Sequence, residues 1–283
     1  MLGRLTRKLR SAKKRVVQLL CRPAATAAVD EARAVRGRHV FIFGVWGRTS
    51  STALQRLLNS TGQICIWGEP GAFIPDDLLA LIDKLDRKNR HPDEQRRKTG
   101  LQRAFSSKDH SQNYAMAFPE MAPAIASLRQ AFLQLFPTIE GVDRFGFKEI
   151  RLRDEQTLHV LRSMFPAAQF VFLFRDPLTQ WPSVRAMKWD ETPDLEHFLE
   201  LYERLASIYM EFRGVFIESA ALYDRERVRG LVAALGLPDV DERLIGDGVF
   251  ARSNKTPLDA ADTQRIRGSR AYELYLQMKS LSA

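Results

Sequence analysis

The stretch HVFIFGVWGRTSSTALQRLLN, from His39 to Asn59, decides the fold. An apolar run ends at Gly44, a polar loop follows, and a segment of helix-forming composition begins at Thr52. A short apolar run that is stopped by a glycine is typical of a buried strand. The sequence therefore predicts a strand, a loop and a helix in succession, with the loop at the carboxyl end of the strand.

Strand-like and helix-like segments alternate along the rest of the chain. The segment 169–174 is apolar throughout, which suits a strand that is covered on both faces. Alternation of this kind predicts an α/β fold with a central parallel sheet flanked by helices. We predict further strands at 64–67, 145–148 and 215–217, helices at 75–88, 119–136, 155–164, 194–212, 225–235 and from about 177, and a charged loop at 87–113.

Length and composition limit the possible organisation. A chain of 283 residues with 45% hydrophobic content can bury the core of one α/β domain, which we place at 37–283 with a helical insertion at 71–143. Cys21 and Cys65 are too few for a disulfide framework, which favours a reducing compartment, the cytoplasm. No apolar run approaches the roughly 18 residues that a membrane span needs.

Residues 1–36 are predicted to be a basic leader and connector. Residues 1–22 carry eight basic side chains and no acidic one, so they account for most of the net charge of +9. One interpretation is an amphipathic helix on an anionic membrane surface, and the other is a solvated basic tail. The remainder of the chain has no basic surplus, so we expect no nucleic-acid partner.

The nine residues from Gly44 to Thr52 have the composition of a phosphate-binding loop. Backbone N–H groups at a helix start lack internal partners, and the helix dipole favours an anion there. An ordinary helix N-cap is the alternative, although one cap needs only one hydroxyl. A kinase-type loop would carry a Gly-Lys pair, which occurs nowhere in the chain. The candidate phosphate-binding residues are Gly47, Arg48, Thr49, Ser50, Ser51 and Thr52.

This loop and the helix after it resemble the 5′-phosphosulfate loop of the sulfotransferase family, in which a strand and a glycine lead into Arg-Ser-Gly-Thr-Thr. Here Arg48-Thr-Ser-Ser-Thr52 matches that pattern, with Ser50 in place of the motif's glycine. We expect Gly47 to supply the backbone freedom instead. The resemblance implies a P-loop-NTPase-like α/β fold and 3′-phosphoadenosine 5′-phosphosulfate as co-substrate, with no metal required.

A second phosphate site is predicted after the strand 169–174. Arg175 follows this strand, and Pro177 suggests that a helix begins there, with Ser183 about two turns into it. Open α/β sheets bind ligands at the carboxyl ends of their strands. An arginine at a strand end with a serine about eight residues later resembles the family's 3′-phosphate element. The alternative is an ion pair between Arg175 and Asp176 or another surface acid.

Lys148 and Glu69 are the candidate catalytic residues. Lys148 matches a lysine that related sulfotransferases often carry, and an ammonium there can neutralise charge on the departing bridging oxygen. The alternative is a solvated lysine that pairs with Glu149 or Asp154. Glu69 resembles the catalytic glutamate of the Gly-Glu segment in tyrosylprotein and carbohydrate sulfotransferases, so we predict that it is the general base.

Glu69 could instead be a turn glutamate that faces water, in which case His110 is the most plausible base. The resemblance implies sulfuryl transfer to a hydroxyl or amine of an acceptor whose pocket the segment 71–143 shapes. That acceptor could be a carbohydrate, a lipid, a peptide or a small molecule.

Two other functions stay open: a kinase-like enzyme that uses ATP and Mg²⁺ with Asp176 as a ligand, and a non-catalytic nucleotide-binding protein. Late basic residues that could close over the nucleotide are Arg252, Lys255, Arg265, Arg267 and Arg270.

Overall fold

The computed structural model describes residues 39–69, 121–136, 141–142, 144–152, 155–187, 194–245 and 258–282. The predicted leader at 1–36, helix at 75–88 and loop at 87–113 lie outside these residues, as do His110 and most of the insertion at 71–143. Residue contacts divide the chain into two compact units. The described residues of the first unit are 121–136 and 159–166, and the others belong to the second.

The second unit contains a five-stranded sheet in the order β2-β3-β1-β4-β5. Every pairing between neighbouring strands is parallel, so the predicted central parallel sheet is confirmed. The opening stretch of the sequence supplies the middle strand, and the carboxyl ends of all strands lie at one edge. The strands are β1 (Val40–Gly44), β2 (Ile64–Trp67), β3 (Arg144–Glu149), β4 (Gln169–Phe174) and β5 (Val215–Glu218).

Most of the described helices begin and end within one or two residues of their predicted bounds. Two helices near the C-terminus, α7 and α8, were not predicted, although Asp259 and Ser269 cap their first turns through side-chain oxygens. No helix in the described ranges is long and apolar enough to cross a membrane. The helices are α1 (Ser51–Asn59), α2 (Met121–Leu135), α3 (Gln156–Met164), α4 (Pro177–Arg185), α5 (Leu195–Phe212), α6 (Arg225–Ala234), α7 (Ala260–Arg267) and α8 (Arg270–Leu281).

The two faces of the sheet are covered by different side chains, because alternate residues of a strand point to opposite faces. On one face Val40 and Ile42 of β1 pack with the apolar sides of α1 and α6. On the other face Phe43 packs against Tyr209 of α5 at 6.4 Å between ring centroids. Tyr209 also stacks on Phe172 at 4.5 Å. Helices thus cover both faces, and the functional groups are confined to the strand ends.

The first unit is described only in part. Phe132 of α2 packs against Phe165 at 6.0 Å between ring centroids. The Arg129 guanidinium donates a hydrogen bond to the carbonyl oxygen of Met164. These contacts join α2 to the residues at the end of α3. The domain bounds that we predict from the sequence stay a prediction.

Candidate functional site

The predicted site residues lie at the carboxyl edge of the sheet, on four neighbouring strands. The loop 45–50 leaves β1, Arg175 follows β4, Lys148 lies near the end of β3, and Glu69 lies just beyond β2. Parallel pairing brings these segments to one edge although they are far apart in the sequence. Both predicted phosphate elements and both catalytic candidates therefore lie at the carboxyl ends of parallel strands.

The backbone of the loop after β1 alternates in handedness. Trp46, Arg48 and Ser50 have left-handed φ angles of 63°, 66° and 63°, whereas Gly47 and Thr49 do not. Residues of alternating hand turn successive N–H groups towards one side, which forms a concavity that binds anions. The expectation that Gly47 supplies the left-handed freedom is wrong, because Ser50 itself adopts the conformation that a glycine would adopt more easily.

Four side chains, from α4, from α5 and from the ends of β4 and β5, donate hydrogen bonds to the carbonyl oxygens of Gly44 and of this loop. The bonds are Tyr209 Oη to Gly44 O (3.1 Å), Gln180 Nε2 to Val45 O (2.8 Å) and Gly47 O (2.7 Å), Arg175 Nη1 to Arg48 O (3.2 Å), and Ser219 Oγ to Thr49 O (2.6 Å). The backbone amides from 46 to 52, by contrast, donate to no acceptor in the described part of the chain. The protein therefore satisfies the carbonyls of the loop and leaves its amides available to an anion.

Two guanidinium groups accompany these amides. Arg48 Nε donates to Ser183 Oγ at 3.0 Å, which joins the predicted 5′-phosphate loop to the predicted 3′-phosphate serine. Neither Arg48 nor Arg175 forms an ion pair with a carboxylate within the described ranges. Burial lowers the pKa of Arg175, and the positive charge of Arg48 acts in the same direction. A bound anion would relieve both effects.

The alternative ion pair between Arg175 and Asp176 does not form. One carboxylate oxygen of Asp176 instead accepts a hydrogen bond from the amide of Leu178 at 2.8 Å and caps α4. Arg175 Nε donates to Thr179 Oγ1 at 3.1 Å. Because the acid next to Arg175 is used by the helix, the guanidinium of Arg175 stays available at the strand end.

The hydroxyls of the loop differ in their placement. Ser50 is the N-cap residue of α1 but makes no side-chain capping bond, so the N-cap interpretation fails for this residue. Thr49 is fully buried, and a Cβ atom at Gly44 would lie 2.6 Å from its Oγ1. Gly44 is therefore required for close packing beneath the loop. Ser51 is buried and Thr52 is exposed at the first turn of α1.

Glu69 and Lys148 form an ion pair. Lys148 Nζ donates to Glu69 Oε1 at 2.6 Å, with the lysine side chain 8% exposed and the glutamate side chain 37% exposed. The second carboxylate oxygen of Glu69 accepts no hydrogen bond from a described residue. Lys148 is thus neither solvated nor paired with Glu149, and Glu69 presents one oxygen beside a buried ammonium. Asp154, the other partner considered for Lys148, lies outside the described residues.

A second carboxylate, that of Glu149, is buried and directly follows Lys148 in β3. Its Oε1 accepts hydrogen bonds from the amides of Ile150 and Arg151, both at 2.9 Å. Burial raises the pKa of Glu149, the two backbone bonds oppose this effect, and the negative charge of Glu69 adds to it. The side chain fixes the turn after β3 and so supports the position of Lys148.

Several residues at this edge escaped the sequence analysis. Gln180, Tyr209 and Ser219 reach the loop from α4, α5 and the end of β5, and polar side chains within otherwise apolar segments were the only available signal. Among the late basic residues, Arg265 pairs with Glu196, Arg270 pairs with Glu273, and Arg267 is the last residue of α7, so a role over the nucleotide stays a prediction for them. Arg252 and Lys255 lie outside the described residues.

A parallel sheet with a loop of exposed amides at the carboxyl ends of its strands is typical of α/β proteins whose ligands carry a phosphate-like group. Comparison with known proteins narrows this class. The model of the sulfotransferase family matches residues 39–238, which is more than half of the chain, and the chain therefore belongs to the sulfotransferase family. No curated protein matches the chain.

The family match makes the protein an enzyme that transfers sulfuryl groups. The matched range contains the candidate phosphate-binding and catalytic residues, from Gly47 to Ser183, but not the late basic residues at 252–270. It ends before α7 and α8. Within the described residues no cluster of three or more His, Cys, Asp or Glu side chains is placed to hold a metal ion.

Proposed function

We propose that the protein transfers the sulfuryl group of 3′-phosphoadenosine 5′-phosphosulfate to a hydroxyl or amine of its acceptor, with Glu69 as the general base. In this reaction the bond between sulfur and the bridging oxygen breaks, and a bond between sulfur and the acceptor atom forms. The acceptor proton goes to Glu69, and adenosine 3′,5′-bisphosphate leaves. The acceptor itself is defined here only by its nucleophilic atom.

The observation that carries the proposal is the hydrogen bond from Arg48 to Ser183 at 3.0 Å. It brings the loop after β1 and the helix after β4 together at one edge, with Arg175 between them. A ligand that carries anionic groups at both its 3′ and 5′ positions fits two neighbouring guanidinium groups that lack carboxylate partners in the described part of the chain. The amides of 46–52 add donors for the 5′ group.

The ion pair between Lys148 and Glu69 supports the second half of the proposal. Lys148 holds one carboxylate oxygen of Glu69, which leaves the other oxygen to accept a proton from the acceptor. The same ammonium, at the end of β3 beside the loop, is placed to offset the negative charge that develops on the bridging oxygen. One lysine thus orients the base and stabilises the leaving group.

Ligand-induced stabilisation tests the donor. Adenosine 3′,5′-bisphosphate without Mg²⁺ should raise the free energy of unfolding by roughly 2.7 kcal/mol at about 100 times its dissociation constant. A thermal-shift titration measures this effect. A shift with ATP and Mg²⁺ but none with the bisphosphate would refute the proposal and favour the kinase-like alternative.

A turnover assay with 3′-phosphoadenosine 5′-phosphosulfate and a panel of hydroxyl and amine acceptors complements the titration. We expect the donor to be consumed only when an acceptor is present, because the acceptor supplies the attacking atom. Bisphosphate binding without turnover on any acceptor would favour the non-catalytic alternative.

A further inference from the structure

Gln180 of α4 is a polar side chain in a position that an apolar one would normally fill. Its exposed fraction is 0%, and its neighbours Trp181 and Ser183 are also buried. The amide nitrogen donates to both Val45 O at 2.8 Å and Gly47 O at 2.7 Å. The amide oxygen has no hydrogen-bond partner in the described part of the chain. Leaving a buried amide oxygen without a hydrogen bond costs free energy. The two bonds that the amide nitrogen donates have to offset this cost.

The two carbonyls that Gln180 holds lie on either side of Trp46, the first left-handed residue of the loop. Fixing these two oxygens fixes the peptide planes 45–46 and 47–48. The first plane also carries the amide of Trp46, and the second carries the amide of Arg48. Gln180 therefore controls which way the first amides of the anion-binding loop point.

We infer that Gln180 is a positioning residue that holds the loop after β1 in its anion-binding conformation, so that α4 organises the 5′ site as well as the 3′ site. This inference rests on the proposed function. Ser183 on the same helix receives the hydrogen bond from Arg48, and Arg175 just before the helix donates to Arg48 O. Only Gln180, however, acts on the backbone at the start of the loop from within α4.

Gln180→Met tests the inference, because methionine keeps the length of the side chain and removes both donors. The matched control is Gln169→Met, since Gln169 Nε2 also donates to a backbone carbonyl, Ala234 O at 2.9 Å, and its amide oxygen is also buried without a described partner. Gln169 is the first residue of β4 and lies at the amino end of that strand, whereas the loop lies at the carboxyl ends of the strands.

The measurement is the dissociation constant, by calorimetric titration, of three probes: adenosine 3′,5′-bisphosphate, adenosine 5′-phosphate and adenosine 3′-phosphate. If the loop of Gln180→Met adopts the competent conformation a tenth of the time, the dissociation constants of both 5′-phosphorylated probes rise about tenfold. The constant for adenosine 3′-phosphate should change by less than about twofold, and Gln169→Met should resemble wild type for all three probes.

A role confined to packing would lower the melting temperature of Gln180→Met without changing the ratio between 5′ and 3′ probes. An unchanged ratio therefore overturns the inference. Failure of the wild-type protein to bind the bisphosphate overturns the proposed function first, and the inference with it. These two failures are distinguishable because the second appears before any substitution is made.

If Gln180→Met does not fold, Gln180→Glu supplies the test. Glutamate keeps the shape of the side chain, and it can donate a hydrogen bond only while its carboxyl group is protonated. The ratio between the 5′ and 3′ dissociation constants should then increase with pH in Gln180→Glu beyond any change in wild type. A parallel pH dependence in the two proteins would overturn the inference.

Discussion

The two halves of the site are held in place in very different ways. One half, which we call the nucleotide half in view of the proposed function, is the loop after β1, and side chains from α4, α5 and the ends of β4 and β5 hold it by hydrogen bonds. In the other, which we call the acceptor half on the same ground, Glu69 lies beyond the edge strand β2 and is held among the described residues by the one bond from Lys148. The first half is thus anchored to several elements of the core, and the second, within the described part of the chain, to one lysine.

This difference has a physical meaning for catalysis. Preorganised donors stabilise developing charge without reorganising at the moment of reaction. A donor molecule that is the same in every turnover suits a rigid, many-bonded site. A base that must approach a separate acceptor suits a partly exposed side chain, and Glu69 is 37% exposed, with one carboxylate oxygen that accepts no hydrogen bond from a described residue. Substitutions in the two halves should therefore have different effects.

Glu69→Gln should have the largest effect, and this effect should be confined to turnover, the function of the acceptor half. Glutamine keeps the size of the side chain but cannot accept a proton at neutral pH, so turnover should fall by about 10²–10⁴. The dissociation constant of adenosine 3′,5′-bisphosphate should be nearly unchanged. Glu69→Asp should recover little of the turnover, because the shorter arm withdraws the carboxylate. Normal turnover in Glu69→Gln together with a collapse in His110→Ala would transfer the role to the histidine.

Arg175→Ala should have the next largest effect, and it should weaken nucleotide binding. Loss of a charge-assisted contact should weaken bisphosphate binding by about 1.5–3 kcal/mol. Adenosine 5′-phosphate should lose much less, since it lacks the 3′ group. Titration calorimetry on both ligands measures the difference.

The matched control for this substitution is Arg185→Ala, at the end of α4, the helix that begins just after Arg175. Arg185 is partly exposed and lies 3.7 Å from Asp262, so its removal should leave both affinities unchanged. Equal losses for the two nucleotides in Arg175→Ala would remove Arg175 from the 3′-phosphate role.

Ser50→Gly should have the smallest effect, and it sharpens the comparison by relaxing strain in the rigid half. A left-handed conformation costs an L-residue roughly 1–2 kcal/mol, and the greater chain entropy of glycine offsets part of this. We expect a net stabilisation of about 0.5–1 kcal/mol in urea unfolding. Ser60→Gly at the other end of α1, where φ is −66°, should instead destabilise the protein. A loss of stability in Ser50→Gly would mean that the serine side chain contributes more than its backbone costs.

Much of the fold was predictable because its signals are local. The strands β1, β2, β4 and β5 consist mainly of short apolar runs, and the parallel arrangement follows from the alternation with helices. The helices α7 and α8 were missed because basic residues such as Arg265 and Arg267 obscure their short apolar stripes. The capping residues Asp259 and Ser269 were the usable signal there.

The approximate position of a site residue was predictable where the sequence shows that it follows a strand, because the carboxyl ends of parallel strands lie on the same side of the sheet. Arg48 and Ser183 both follow strands of the parallel sheet, and the hydrogen bond between them is a contact that the sequence analysis did not predict. The left-handed Ser50 was not predictable, because serine seldom adopts that conformation. Gln180 was not predictable either, since a bond from a side chain to a distant carbonyl depends on packing that no local pattern encodes.

The bonds that shape the loop also determine when it can form. They join residues that are 127 to 170 positions apart in the chain. Contacts of such long range form only after the chain has paid the entropy of closing large loops, and parallel pairing is slow for the same reason. The local turn of α1 can form early, whereas the side-chain bonds that hold the alternating backbone before it require that β4, α4, α5 and β5 have docked. If the loop binds the nucleotide as proposed, nucleotide affinity is therefore acquired late in folding, when these elements have come together.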